Sequence, residues 1–131
     1  MGMATHPPRS HPRTRLLLAY DGSPSASRAL QRVVAMYRTG DDVGVIHVSD
    51  QGRDADGHLP AAERILAERG ITATLLSCGG NAARAICVAA ERDRYDTIIV
   101  GRRRVHDAGL LLGSVAARIV SGATCDVVVV A

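Results

Sequence analysis

Five short apolar runs, spaced evenly along the chain, constrain its fold more than any other feature. They are RLLLAY (15–20), DVGVIHV (42–48), ITATLL (71–76), DTIIVG (96–101) and DVVVVA (126–131). They barely alternate between apolar and polar. Unbroken runs of this length fit strands covered on both faces, as in a parallel sheet. Between them, apolar residues recur at helical spacing. Ala26, Ala29, Leu30, Val33, Val34 and Tyr37 fall on one face of a first helix, which Ser23 can cap and Pro24 can open, with Gly40 beyond its end. Segments 60–69, 82–93 and 114–121 read as three more helices, with Pro60 opening the first, Asn81 capping the second and Ser114 starting the third. The order βαβαβαβαβ predicts a doubly wound α/β sheet. On such sheets ligands bind beyond the carboxyl ends of the strands, where the winding reverses.

A chain of 131 residues suits one domain, expected over 13–131, after a flexible Pro/Arg/His-containing tail at 1–12. Aromatic residues make up only 2%, with no Phe or Trp, so the core must be aliphatic and the stacking platforms of single-strand nucleic-acid binders are missing. All 16 basic residues are arginine. The absence of lysine excludes a Walker A lysine, a Schiff base and a Ser-Lys pair. The net charge of +3 is uneven: Arg9, Arg13 and Arg15 sit near the start, and Arg102, Arg103 and Arg104 share one loop. No basic face remains for nucleic acid, so none is expected as a partner. Cys78, Cys87 and Cys125 are an odd number without a C-x-x-C pair, which argues against a zinc site or disulfide framework and for reduced thiols in the cytoplasm. No run reaches membrane-span length and the opening residues lack a signal-peptide core, so no membrane partner is expected.

The loop after the first strand, AYDGSPSASRAL, holds one glycine, where a dinucleotide fold needs G-x-G-x-x-G. Asp21 is then the group to explain. At the carboxyl end of the first strand it can accept bonds from a ribose hydroxyl or an exocyclic amine, or it can simply start the turn into the helix. GGNAARAI (79–86) is accounted for by turn and cap chemistry. His47, alone in an apolar strand, reads as a core residue. SDQGRDADGH (49–58) reads as a mobile loop. No G-x-S-x-G elbow, paired acid and base, or metal-ligand spacing accompanies the serines and histidines. The stretch VGRRRVHDAGLLLGS (100–114) is the strongest chemical candidate. Gly101 ends a strand, Gly113-Ser114 opens a helix whose N–H groups can receive an anion, and the arginines between can neutralise phosphate. A solvated charge run beside an ordinary cap is the alternative.

Taken together, LLLAYDGSPSASRAL, VIHVSD, GGNAARAICVAAERDRYDTIIVG and LLLGSVAARIVSGATCDVVVVA resemble the universal stress protein family over about residues 13–131. The resemblance implies a five-stranded parallel sheet of order 3-2-1-4-5 with four helices, universal-stress-protein-like (adenine nucleotide alpha hydrolase-like). It also implies a crevice between strands one and four. Many family members bind ATP there through Gly-x2-Gly-x9-Gly-Ser/Thr. Carried across, Gly101 matches the first glycine and Gly113-Ser114 the closing pair. Asp21 and Val48 match positions that contact the adenosine, and Arg102 lies inside the loop. Arg104 stands where the middle glycine belongs, and eight residues rather than nine separate it from Gly113. The function the resemblance implies is a small, non-enzymatic stress-response module with a degenerate adenine-nucleotide crevice. No metal is expected beyond magnesium accompanying a nucleotide. A homodimer through 126–131 and an unidentified regulated protein are the expected partners. A ligand-free interaction module and a weak ATP hydrolase or nucleotidyl-transfer enzyme are the other two readings.

Overall fold

The computed structural model describes residues 13–102 and 112–131; the tail 1–12 and residues 103–111, with Arg103 and Arg104, lie outside the described residues. In chain order the elements are β1 (Arg15–Ala19), α1 (Pro24–Met36), β2 (Asp42–Ser49), α2 (His58–Ala67), β3 (Ala73–Gly79), α3 (Ala82–Arg92), β4 (Thr97–Gly101), α4 (Ser114–Gly122) and β5 (Asp126–Val130). All pairings are parallel and the sheet order is β3-β2-β1-β4-β5. The expected doubly wound α/β architecture, with its 3-2-1-4-5 order, is the observed one.

The apolar run of β1 is explained by its central place. Leu16 and Leu18 pack with α1 and α2 on one face, and Leu17 packs with α3 and α4 on the other. All three are 0–2% exposed. At roughly 25 cal/mol per Å², burial of such side chains contributes about 1.5–3 kcal/mol each. Helix starts follow local chemistry. Ser23 Oγ accepts from Ala26 N–H at 3.1 Å, and Asn81 Oδ1 accepts from Arg84 N–H at 3.0 Å.

Two expectations need correction. β3 covers 73–79, not 71–76, and its pattern of exposure alternates rather than staying buried. It is an edge strand; Ile71 is buried ahead of it, where the chain leaves α2, and so reads as strand only by composition. α2 begins at His58, not Pro60. Its cap comes from upstream, where Asp54 accepts from His58 N–H at 2.8 Å and from Leu59 N–H at 2.7 Å. The segment 49–58 also carries bonds from Ser49 Oγ to Arg53 O and from Ser77 Oγ to Gly52 O.

In the middle of β2, Gly44 lies under the Tyr95 ring, which also carries the Arg15 guanidinium 4.8 Å from its centroid. A Cβ at Gly44 would meet Tyr95 Oη and stand 2.7 Å from Tyr95 Cζ. Gly44→Ala is expected to destabilise by about 1–3 kcal/mol, as overpacking does. Thermal unfolding of Gly44→Ala, Tyr95→Phe and the double variant should show partial relief in the double, because the hydroxyl is one of the two obstacles.

Candidate functional site

Where β1 ends, the chain turns sharply into α1. Tyr20 is 7% exposed, Asp21 is exposed, and Gly22 takes φ +79°, which favours glycine. Asp21 Oδ1 accepts from Ser23 N–H at 3.0 Å, so the carboxylate does start the turn. Its Oδ2 has no hydrogen-bond partner among the described residues, and the residue lines the space beyond the strand ends. The two readings of Asp21 are therefore compatible: one oxygen shapes the turn and the other remains for a ligand.

Across the cleft, β4 ends at Gly101. A Cβ there would lie 2.8 Å from the backbone carbon and oxygen of Ser25 and would also meet Ser25 Oγ. The first turn of α1 thus rests on the β4 backbone. The glycine is required by packing, whatever else it serves.

The next residues form the neck of the 103–111 loop. Arg102 N–H donates to Val130 O at 2.7 Å, and Gly113 N–H donates to Arg102 O at 2.8 Å. Gly113 N–H closes the neck and is not left for phosphate, unlike the simple carry-over from the sequence. α4 then begins with Gly113 as N-cap, and its first intrahelical bond runs from Ala117 N–H to Gly113 O at 2.9 Å. That leaves the N–H groups of Ser114, Val115 and Ala116 without intrahelical acceptors. Ser23, Asp54 and Asn81 supply side-chain acceptors to α1, α2 and α3; α4 has none among the described residues.

These pieces enclose a cleft of about 190 Å³ at the carboxyl ends of β1 and β4. Of the residues singled out from sequence, Asp21, Val48, Gly101, Arg102 and Gly113 line it. Ser114 starts α4 between two lining residues, and Arg104 lies outside the described residues. Sequence reasoning missed the hydroxyls of Ser23 and Ser25 in the wall. Ser25 sits one residue into α1 and carries no signal beyond ordinary helix-start composition. A wider groove of about 440 Å³ lies between α3 and α4, lined by Arg84, Val88, Glu91 and Arg118 among others.

Behind the β1–α1 turn lies a second polar cluster. His47 is a largely buried ring satisfied within the fold, as read from the sequence: its Nδ1 is 3.0 Å from Tyr20 O, and its Nε2 is 3.8 Å from Asp54 Oδ1. The His58 ring lies 4.9 Å from the His47 ring and fills the space a side chain on Gly22 would need. Burial works against ionisation of Asp54, but the N–H bonds from Leu59 and His58 and the two imidazoles outweigh it and hold the carboxyl below its usual range. The only sequence signal was an acid four residues ahead of a helix start. Among the described residues no three His, Cys, Asp or Glu side chains group to hold a metal ion, and no helix is long and apolar enough to cross a membrane.

The fold and cleft define a doubly wound α/β protein with its crevice at the point where the strand order reverses. The sequence profile of the universal stress protein family matches residues 52–131, and the chain belongs to that family. A universal stress protein from Archaeoglobus fulgidus is similar at 25% identity, covering 92% of this chain and 100% of that one, with a TM-score of 0.75. A family protein from Arabidopsis thaliana, solved with AMP bound, is 21% identical over 89% of this chain and 90% of its own, with a TM-score of 0.74. An Archaeoglobus fulgidus universal stress protein in complex with dAMP is 22% identical over 91% and 98%, with a TM-score of 0.70. No curated protein sequence matches the chain.

The packing role of Gly101 gives a direct test. Gly101→Ala is expected to lower stability by about 1–3 kcal/mol without any ligand present. An unchanged unfolding temperature would assign this glycine to ligand approach alone.

Proposed function

We propose that the chain binds an adenine nucleotide in the β1/β4 cleft and acts as a non-enzymatic stress-response module of the cytoplasm. One observation carries the reading: Asp21, Arg102 and the first turn of α4, which has no side-chain cap among the described residues, meet at a single cleft at the topological switch point. A helix N-terminus without an internal acceptor suits a phosphate, and an unpartnered carboxylate oxygen suits ribose or adenine donors. Relatives of the same fold that carry AMP and dAMP support the ligand class. The neck bond from Gly113 to Arg102 removes one candidate N–H donor, which fits a weakened phosphate subsite in line with the shortened loop. Magnesium enters only as a companion of a bound nucleotide. The non-enzymatic part rests on the sequence, which has neither lysine nor a nucleophile elbow.

Asp21→Asn keeps an oxygen to accept from Ser23 N–H and removes the charge. It is expected to leave the unfolding temperature unchanged within about 1 kcal/mol of stability and to weaken ATP or AMP by roughly tenfold in calorimetric titration. Mass spectrometry of small molecules released from the purified protein should find an adenine nucleotide. No binding of either nucleotide at millimolar concentration would favour the ligand-free interaction module, which the Arg104 substitution in the loop supports. Phosphate release above an Asp21→Asn background would instead favour the hydrolase.

The homodimer belongs to the same proposal. Asp126 N–H donates to Asp96 O at 3.2 Å and Val130 O accepts from Arg102, so these residues face β4. By the alternation of a strand, Val127 and Val129 turn their N–H and C=O groups to the open edge, a template for pairing with a second copy across a two-fold axis. Val129→Pro removes an outward donor while sparing the β4 ladder. Light scattering should find the unmodified protein dimeric and this variant monomeric; a monomeric unmodified protein at high micromolar concentration sinks the idea.

A further inference from the structure

The cluster behind the β1–α1 turn touches the cleft's floor without lining it. His47 Nδ1 lies 3.0 Å from a carbonyl oxygen, Tyr20 O, which can only accept. The neutral ring must therefore carry its proton on Nδ1. Its Nε2 then turns a lone pair toward the Asp54 carboxylate, 3.8 Å away. A proton added at Nε2 converts that repulsive contact into an attractive ion pair. Asp54 also holds the start of α2, because its two oxygens accept from His58 and Leu59 N–H. His58 is the first residue of α2, and its ring abuts Gly22, next to Asp21.

We propose that proton uptake at His47 tightens nucleotide binding in the cleft, passing through Tyr20 O on one side and through Asp54, α2 and His58 on the other to the Asp21 turn. The proposal names a regulation of the nucleotide site and rests on that reading. Charged and aromatic groups face the two rings from the loop before α2 and from the β1–α1 turn. Asp54 faces His47 from the loop before α2; Asp56 lies 3.6 Å from His58 but is 83% exposed, so water screens it. The Tyr20 ring meets His58 edge-on at 6.4 Å, and Asp21 stands exposed in the turn beyond Gly22. Neither Asp54 nor Asp56 pairs with an arginine among the described residues. His47 has an acceptor at each nitrogen, and the His58 ring lies 4.9 Å from its own. Histidine is the side chain whose charge ordinarily changes between about pH 5 and pH 8, which makes the device relevant to a stress response.

NMR of the labelled full chain, titrated between about pH 8 and about pH 5, follows the His47 ring and the amides of Asp21, Gly22 and Ser23. The three amides are expected to move along the His47 curve and to stay still in His47→Asn, whose amide can keep the bond to Tyr20 O without titrating. Asp54→Asn, which retains one of the two oxygens that cap α2, should silence them too and guards against a misfolded His47 variant. In calorimetric titration with ATP, the unmodified protein should gain at least about fivefold in affinity from about pH 8 to about pH 6 beyond the gain of His47→Asn, which reports the nucleotide's own protonation. Still amides in the unmodified protein, or an equal gain in both proteins, overturn the proposal. Moving amides with no ATP bound at either pH would sink the nucleotide reading and leave the coupling standing.

Discussion

The first turn of α1 rests on the backbone at the end of β4, and the shape of the cleft follows from that contact. The Ser25 backbone stands 2.8 Å from where a Cβ on residue 101 would be. Any side chain there would push α1 outward or bend β4 away from β1. β1 pairs with β4 over Leu16–Leu18, and α1 starts only a few residues past the end of β1. A shift of α1 therefore carries Asp21 with it. The distance between Asp21 and the loop neck at Arg102 is set by a glycine whose first duty is to let two backbones touch.

The polar groups at this end of the sheet serve folding before they serve any ligand. Parallel winding brings the N-termini of α1, α2, α3 and α4 to the carboxyl ends of the strands, so partial positive charge gathers there. Ser23, Asp54 and Asn81 answer it internally for three helices. Gly113 spends its N–H on Arg102 and offers α4 no side chain. Among the described residues, what remains after this internal satisfaction is three N–H groups of α4 and one carboxylate oxygen of Asp21.

Most of the architecture was legible because it depends on period and punctuation. Leu16, Leu17 and Leu18 are apolar in a row because both faces of β1 are covered. Ser23-Pro24 and Asn81 mark helix starts by chemistry that is local in sequence. The misreadings arose where the cause is not local. Ile71 looks like strand but is buried by packing at the end of α2, whereas β3 runs on through Ser77 and Cys78 because an edge strand tolerates polar residues on its open face. Asp54 caps α2 from outside the helix, so the start of α2 was placed too late. In the cleft, Asp21, Val48, Gly101, Arg102 and Gly113 were found through motif positions. Ser25 was not, because its role comes from the contact of two elements distant in sequence.

β5 joins the two walls of the cleft. Val130 O holds the neck through Arg102 N–H at 2.7 Å, and Ala131 O accepts from Arg28 Nε of α1 at 2.9 Å. The strand is thus bonded to the neck of the loop and to the helix that carries the Asp21 turn. Its outward groups, on Val127 and Val129, take no part in either bond. A strand fixed on its inner side in this way presents its open edge in one register. A partner pairing with that edge would find the strand already ordered, and would not have to break the cleft to do so.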